Sequence, residues 1–392
     1  MAHVKLLHTS DWHLGRTLMG ADLLPAQTAF LDWLLELAVH EQVDAVLVAG
    51  DVYDRAVPGL DAIRLLDQTL VGLAKAGIPV VLISGNHDSA TRLGFGSTLH
   101  ESSGVHLRTR VCDLSRPVIL ADEHGEVAIY GVPYLLPDAV RAELDAERSH
   151  EAVLSAATAR VLADARERGI ARTVAVAHAF ITGSHVSESE RDIRVGGVGD
   201  APAHVFDGVT YVALGHLHGP QRVPLAGSST VLRYSGSPVA YSFSERDHVK
   251  SVVIVELDAA GVASTTVHAT PVERPLRQVR GSVEELLARA ERDLADLADA
   301  YVKAVLTDQA RPIAPMERLR RVWPHTITLE FEPEGGLPDG AADLARLDRV
   351  KHDPVEVCGQ FIEFVGGAEP DEQEKQVLVA AVEAAQHAAM SA

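Results

Sequence analysis

Cysteine is almost missing from this chain of 392 residues, where Cys112 and Cys358 are the only two. Two thiols cannot build a disulfide framework, so a reducing compartment is expected. Long apolar runs are missing too. The longest, around Val43–Val48 and Ile78–Ile83, are strand-sized and far short of the ~20 residues that span a bilayer as a helix. The opening stretch MAHVKLLHTSDWH runs straight into a strand pattern without the layout of a secretory signal, so the cytoplasm is the expected location. Lysine is scarce. None of the six (Lys5, Lys75, Lys250, Lys303, Lys351, Lys375) follows a glycine, which excludes a GxxxxGK[ST] phosphate loop and that route to ATP. No internal repeat is present. What remains, 47% apolar and 23% charged residues, is ordinary globular composition and excludes a largely disordered chain. The length suits two or three domains.

Basic residues are outnumbered, 35 against 55 acids, for a net charge of −20. That argues against a nucleic-acid partner until the distribution is considered. Residues 332–392 hold thirteen acids and four bases, so nearly half the excess sits at one end. The stretch 303–325 runs the other way, with Lys303, Arg311, Arg318, Arg320 and Arg321 against Asp308 and Glu317. A locally basic surface can hold phosphates on an acidic protein.

Hydrophobic patterning predicts a strand at 3–9, a helix at 25–40, strands at 44–49 and 78–84 and a helix at 60–76 between them, a βαβ rhythm. Further strands are expected at 127–132, 173–177 and 209–214, with one long helix at about 138–168. After 230 the alternation predicts antiparallel strands closing a second sheet. Arg274-Pro275 marks a boundary. Beyond it come a strand at 276–280, a helix opened by a Ser282/Glu285 capping box, and strands near 301–306 and 325–331. The Gly-, Pro- and Asp-rich segment 334–370 is expected to loop out before a final helix at 371–388. The domains are accordingly drawn at 1–273, 274–335 and 336–392.

Five places carry chemistry, each at the end of a predicted strand: Asp11-Trp12-His13, Gly50-Asp51 continuing to Asp54-Arg55, Gly85-Asn86-His87-Asp88, His178, and Gly215-His216-Leu217-His218. In an open α/β sheet such strand ends line one crevice. Asp11, His13, Asp51, Asn86, His178, His216 and His218 offer only nitrogen and oxygen donors. In an extended segment, alternate residues point the same way, so each of Asp11/His13 and His216/His218 is expected to grip one ion. Seven donors are too many for one open catalytic metal and suit two ions with Asp51 shared. A pair of ions ~3.5–4 Å apart clamps the attacking and leaving oxygens of a phosphoester and activates water. A single DxH or HxH among nineteen histidines means little. The ordered set at strand ends is what carries the reading.

The series DxH, GDxxDR, GNHD, His and GHxH resembles the calcineurin-like metallophosphoesterases over about residues 3–245. HTSDWHLGR, GDVYDRAVP, ISGNHDSATRL and YSGSPVAYSFSE, with SERDIRVGGV after His178, are similar to the bacterial DNA-nuclease branch of that family. VLTDQARPIAPMERLRRVWPH resembles that branch's smaller domain, which caps the active site. The resemblance implies an α/β fold, a two-sheet metallophosphoesterase sandwich flanked by helices, plus a small α+β capping domain. It implies one metal on Asp11, His13, Asp51 and His218 and another on Asp51, Asn86, His178 and His216. His87 would protonate the leaving oxygen or stabilise its charge, a role that a group titrating near neutral pH suits. Asp54 matches the position that orients this histidine in related phosphatases. Arg16, Arg55 and Arg92, each close after a motif, are candidate phosphate holders. Manganese is the family's usual metal, although ligand softness alone leaves iron and zinc open.

The resemblance further implies a separate coiled-coil ATPase partner, a homodimer within a two-plus-two assembly, and metal-dependent exonuclease and hairpin-endonuclease work on DNA in repair and recombination. The acidic helix near 371–388 could dock on such a coiled coil. The alternatives are a small-nucleotide phosphodiesterase on the same scaffold, which would need no cap, and a non-catalytic scaffold module, which would have lost donors.

Overall fold

Runs such as Ala45–Ala49 and Val80–Ile83 present apolar side chains on both faces and must be covered on both, and the fold answers with two stacked six-stranded sheets. The structure, a computed structural model, describes residues 3–190, 200–290, 292, 294–333, 354–366 and 369–391. In the first sheet, Val4–Thr9, Ala45–Ala49, Val80–Ile83 and Val105–Arg108 run parallel, and the hairpin Ser251–Asp258/Gly261–Ala269 extends it antiparallel beside Val4–Thr9. The second sheet is ordered Gln221–Val223, Val231–Tyr234, Tyr211–Gly215, Arg172–His178, Gly125–Val132, Val118–Asp122, with its four middle strands parallel.

Leu6, Leu47, Val81, Ile129, Val176 and Ala213 belong to the core between the sheets. Helices Leu24–His40 and Leu60–Lys75 cover the outer face of the first sheet, and Pro137–Leu144 and His150–Arg168 that of the second. The sandwich with flanking helices is as the sequence reading expects.

Three details differ. The Ser251–Asp258/Gly261–Ala269 hairpin joins the first sheet and not the second. Ser251–Asp258 buries Val253, Val255 and Leu257 between the sheets and Val252 and Ile254 on the helix side, so it needs a position covered on both faces. The helix expected at 138–168 is two helices. Asp145 takes a left-handed conformation (φ 52°) and ends the first, and Ser149 Oγ accepts the Ala152 N–H at 3.0 Å to open the second. Within 334–370, residues 334–353 lie outside those described, but Pro354–Gly366 is a helix with proline in its first turn, and it packs on Glu372–Ser391. Of the SERDIRVGGV segment, all but Ser189 and Glu190 also lie outside the described residues.

Leu276–Gly281, Tyr301–Leu306 and Thr326–Phe331 form a separate parallel sheet. The capping box is in place: the Ser282 N–H donates to Glu285 Oε2 at 2.9 Å, and the Glu285 N–H to Ser282 Oγ at 3.3 Å. Leu276 packs with Leu18, Leu23, Tyr241 and Phe243, and Tyr301 and Ile327 join this cluster. The small unit is thereby seated against the sandwich beside Tyr241.

A buried ion pair of the second sheet also takes hold of the first. The Asp122 carboxylate accepts from Arg172 Nη1 at 2.9 Å and Nη2 at 2.5 Å, and from the Val4 N–H at 3.1 Å. The bond to Arg172 holds this carboxyl well below the usual range. A group with a depressed folded-state pKa stabilises above its unfolded value near pH 4 and loses that contribution as pH falls further. Asp122→Asn is therefore expected to lower stability at pH 7 by about 3 kcal/mol, because Arg172 is left buried without its partner. It should also flatten the acid limb of stability below about pH 4. Urea unfolding across pH reads both effects, and a variant with unchanged midpoints would refute the role.

Candidate metal centre

All five motifs lie at strand ends on one rim of the sandwich. Asp11 and His13 follow Val4–Thr9, Asp51 follows Ala45–Ala49, and Asn86 follows Val80–Ile83, all in the first sheet. His178 ends Arg172–His178, and His216 and His218 follow Tyr211–Gly215, in the second. The seven side chains are buried and converge. Ligand atoms of Asp11, His13 and His218 lie within 4.8 Å of one another, as do those of Asp51, His178 and His216. Asp51 Oδ2 stands between the groups, 3.6 Å from both His13 Nε2 and His178 Nε2. Asn86 Oδ1 is 2.9 Å from His178 Nε2 and 3.0 Å from His216 Nδ1.

The two histidines of GHxH fall in different groups. His216 has φ 105°, so the segment is not extended and its alternate side chains do not share one ion site. Asp11 and His13 do stay together, but through left-handed turns at φ 54° and 42°. Asp51, at φ 48°, is also in a region costly for a residue with a Cβ. All four strained residues are donors of the cluster, and the strain aims them at a common point. Two glycines make that approach possible. A Cβ on Gly85 would stand 2.1 Å from Asp51 Oδ1, and one on Gly215 would stand 1.8 Å from the Ala49 carbonyl oxygen.

The donor chemistry fits divalent cations. A carbonyl can only accept, so the Ala49 oxygen 2.9 Å from His178 Nδ1 fixes the proton there. With the proton on Nδ1, Nε2 is the ring's ligand atom, and it faces the acceptor oxygen of Asn86. Two acceptors at that separation are reconciled by a cation between them. His13 Nε2 and His218 Nε2 likewise meet at 3.1 Å. Burial and the neighbouring histidines hold His13 well below its ordinary pKa, and burial brings His218 down to about 4, so both are neutral donors at pH 7. Asp11 is pushed well above the usual carboxylate range by burial and by the charge of Asp51. Burial would raise Asp51 as well, but His178 and His87 outweigh it and bring it down. Two buried carboxylates whose charges oppose each other call for a cation among the nitrogen donors.

His87 stands at the rim, with 10% of its side chain exposed. Its Nδ1 bonds the main-chain oxygen of Asp54 at 2.8 Å, which directs Nε2 toward Asp51 Oδ2, 3.9 Å away. An Asp54 carboxylate oxygen lies within 4.8 Å of ligand atoms of both His13 and His87. Arg16 donates to the Ser189 carbonyl at 2.7 Å and stacks 5.0 Å over the Tyr241 ring, and its Nη1 has no hydrogen-bond partner among the described residues. Arg55 is exposed beside Asp54, and Arg92 is held on the Ala56 carbonyl at 3.2 Å.

Asp88 caps the loops themselves. Its carboxylate accepts the N–H groups of Val52, Tyr53 and Gly85 at 2.9–3.1 Å, and burial together with Asp51 pushes it up to about 7. The sequence reading passed over Ser189, Glu190, Glu245 and Lys250, which all surround His218. No spacing rule marks them, and Glu245 is visible only as the last residue of YSGSPVAYSFSE.

Residues 4–220 match the calcineurin-like phosphoesterase family. Residues 272–365 match the SbcD_C family, described as the type 5 capsule protein repressor C-terminal domain. The chain is 33% identical over 329 residues to the SbcD component of nuclease SbcCD from Staphylococcus saprophyticus, covering 83% of this chain and 84% of that protein. Among solved structures it resembles a dimetal phosphatase from Danio rerio (12% identity, TM-score 0.41, 68% of this chain and 99% of that one). It also resembles calcineurin-like phosphoesterase YfkN from Bacillus subtilis (13%, TM-score 0.39, 69% and 90%). The strand-end donors, the two matched families and the curated relative agree: the chain belongs to the calcineurin-like phosphoesterases, in the branch of the SbcD nucleases.

Proposed function

We propose that this chain is a metal-dependent DNA exonuclease and hairpin endonuclease that works with an SbcC-type ATPase in processing DNA ends for repair and recombination. The observation that carries the reading is the buried cluster of seven nitrogen and oxygen donors shared between two sheets, with His87 at its open rim. Asp11, His13, Asp51 and His218 would hold one divalent ion and Asp51, Asn86, His178 and His216 the other, with manganese the best fit to the family. Bound there, the pair supplies Lewis acidity at the phosphorus and a nucleophilic oxygen from water at neutral pH. The protein's own steps follow from its geometry. The Asp54 carbonyl holds His87 Nδ1–H, which turns Nε2 toward the cluster, and from the protonated ring Nε2–H would pass its proton to the leaving oxygen. Arg16, fixed by Tyr241 and Ser189 and with no hydrogen-bond partner for Nη1 among the described residues, would grip a phosphate oxygen. Arg55 and Arg92 are weaker candidates for the same work.

DNA is favoured over a small nucleotide because the parallel sheet unit at 276–331 is seated beside Tyr241, whose ring packs on His13 and His218. Such a cap is superfluous for a small substrate. The partner is favoured because the chain has no phosphate loop of its own, and because Phe361 and Val377 of the two C-terminal helices are 63% and 68% exposed, a face suited to a coiled coil. A homodimer within a two-plus-two assembly and a cytoplasmic location complete the reading. Among the described residues no helix is long and apolar enough to cross a membrane.

Hairpin-ended duplex and bis-p-nitrophenyl phosphate, each assayed with manganese with and without the ATPase, separate the readings. Manganese-dependent cutting of the duplex that the ATPase and ATP stimulate is expected. Turnover of the small ester alone would instead support a small-nucleotide phosphodiesterase, and turnover of neither a scaffold.

A further inference from the structure

Glu245 and Lys250 are both buried, 1% and 5% exposed, and form an ion pair directly behind His218. Lys250 Nζ also donates to the His218 carbonyl at 3.0 Å and to Ser237 Oγ at 2.9 Å. On the ring side, His218 Nδ1 lies 2.6 Å from Ser189 Oγ and 3.2 Å from Glu245 Oε1, and Ser189 Oγ donates to the same carboxylate. The direction of each proton follows. A carboxylate can only accept, so Ser189 gives it a proton and must receive one from His218 Nδ1–H. Nε2 is then left as a lone pair facing His13 Nε2, 3.1 Å away.

The His218 main-chain N–H is tied as well, to Glu190 Oε1 at 2.6 Å. Among the described residues, His218 is the one imidazole of the cluster whose Nδ1 meets a carboxylate within hydrogen-bond distance. The matching atom of His178 meets the neutral carbonyl of Ala49. Lys250 cancels the Glu245 charge. The carboxylate can thus polarise the ring without competing as a ligand itself.

We propose that Glu245, neutralised by Lys250, is a positioning residue of the metal centre. Through Ser189 it pins His218 with Nδ1 protonated and Nε2 toward Asp11 and His13, and so sets the affinity of the ion those three residues share. The proposal rests on the two-ion reading above. It makes the two ion sites unequal. A ring backed by a carboxylate is a more basic ligand, and loss of such a partner costs about 10–100-fold in metal affinity. It also ties the segment that contains Ser189 and Glu190 to the centre, since these two residues supply a side-chain and a main-chain anchor for one ligand.

The test is manganese titration of the full chain by calorimetry, with the electron paramagnetic resonance signal of a spin-coupled manganese pair as a second readout, on wild type, Glu245→Gln and Ser189→Ala. Wild type should bind two ions. Each variant should bind one as wild type does and the second about tenfold or more weakly, with the coupled signal displaced to higher manganese. Ser189→Ala removes only a loop hydroxyl, so it decides the matter if Glu245→Gln does not fold. Two ions bound with wild-type affinity in the variants would overturn the proposal alone. Fewer than two in the wild type would overturn the two-ion reading beneath it.

Discussion

A His87→Ala chain is expected to keep its metal content and to lose the proposed DNA cleavage by a factor of about 10²–10⁴, the span of a general acid. The histidine lies outside the groups Asp11/His13/His218 and Asp51/His178/His216, its ring bonds the Asp54 carbonyl of a loop already held by Asp88, and its main-chain bond to Asp51 survives truncation of the side chain. Truncation should therefore leave the two ions in place. The loss is expected to depend on the leaving group. A nucleic-acid alkoxide needs a proton as it departs, whereas p-nitrophenolate does not. The variant should lose far more activity on hairpin DNA than on bis-p-nitrophenyl phosphate, with manganese counted in the same samples. Equal losses on both substrates would mean that His87 binds phosphate instead, and an active variant would end its role altogether.

Asp51→Ala is expected to lose both ions and at least about 10³-fold in cleavage, as removal of a shared ligand disables both halves of a two-metal site. Its Oδ2 lies 3.6 Å from His13 Nε2 in one group and from His178 Nε2 in the other, and its Oδ1 accepts the His87 N–H at 2.9 Å. Stability should lose its dependence on metal. Asp51→Ala keeps the left-handed φ of 48° and gives up a carboxylate that the surrounding imidazoles hold down, which offsets relief of the repulsion with Asp11, so the metal-free variant is not expected to melt above metal-free wild type. The rise in melting temperature that manganese would give the wild type, a mass-action effect, should disappear. Melting with and without manganese reads both. A variant that still gains stability from the metal would show that Asp51 is not the bridge.

The centre was legible because its residues stand at ends of parallel strands, where chain direction alone brings Asp11, Asp51, Asn86, His178 and His216 to one rim. What stayed hidden depends on single torsions and on contacts distant in sequence. The division of His216 from His218 turns on a φ of 105° at His216, which an HxH spacing does not encode. The role of Ser189 and Glu245 depends on two loops meeting behind His218 from opposite sides of it in the chain. The place of Ser251–Asp258 was misjudged because alternation marks a strand but not its neighbour. The helix Pro354–Gly366 was obscured by the Gly-, Pro- and Asp-rich residues around it. The sandwich and the helices Leu24–His40 and Leu60–Lys75 were readable because each apolar run there has one length and one period.

Donors drawn from both sheets also constrain when the centre can exist. Its first carboxylate is residue 11, its last imidazole 218, and the lysine behind that imidazole 250. No hairpin or half-barrel intermediate contains a complete set, and contacts so far apart along the chain are slow to form. On the proposed reading, a nascent chain whose sheets have not yet closed on one another holds no complete donor set, so cleavage would begin only once the chain is finished.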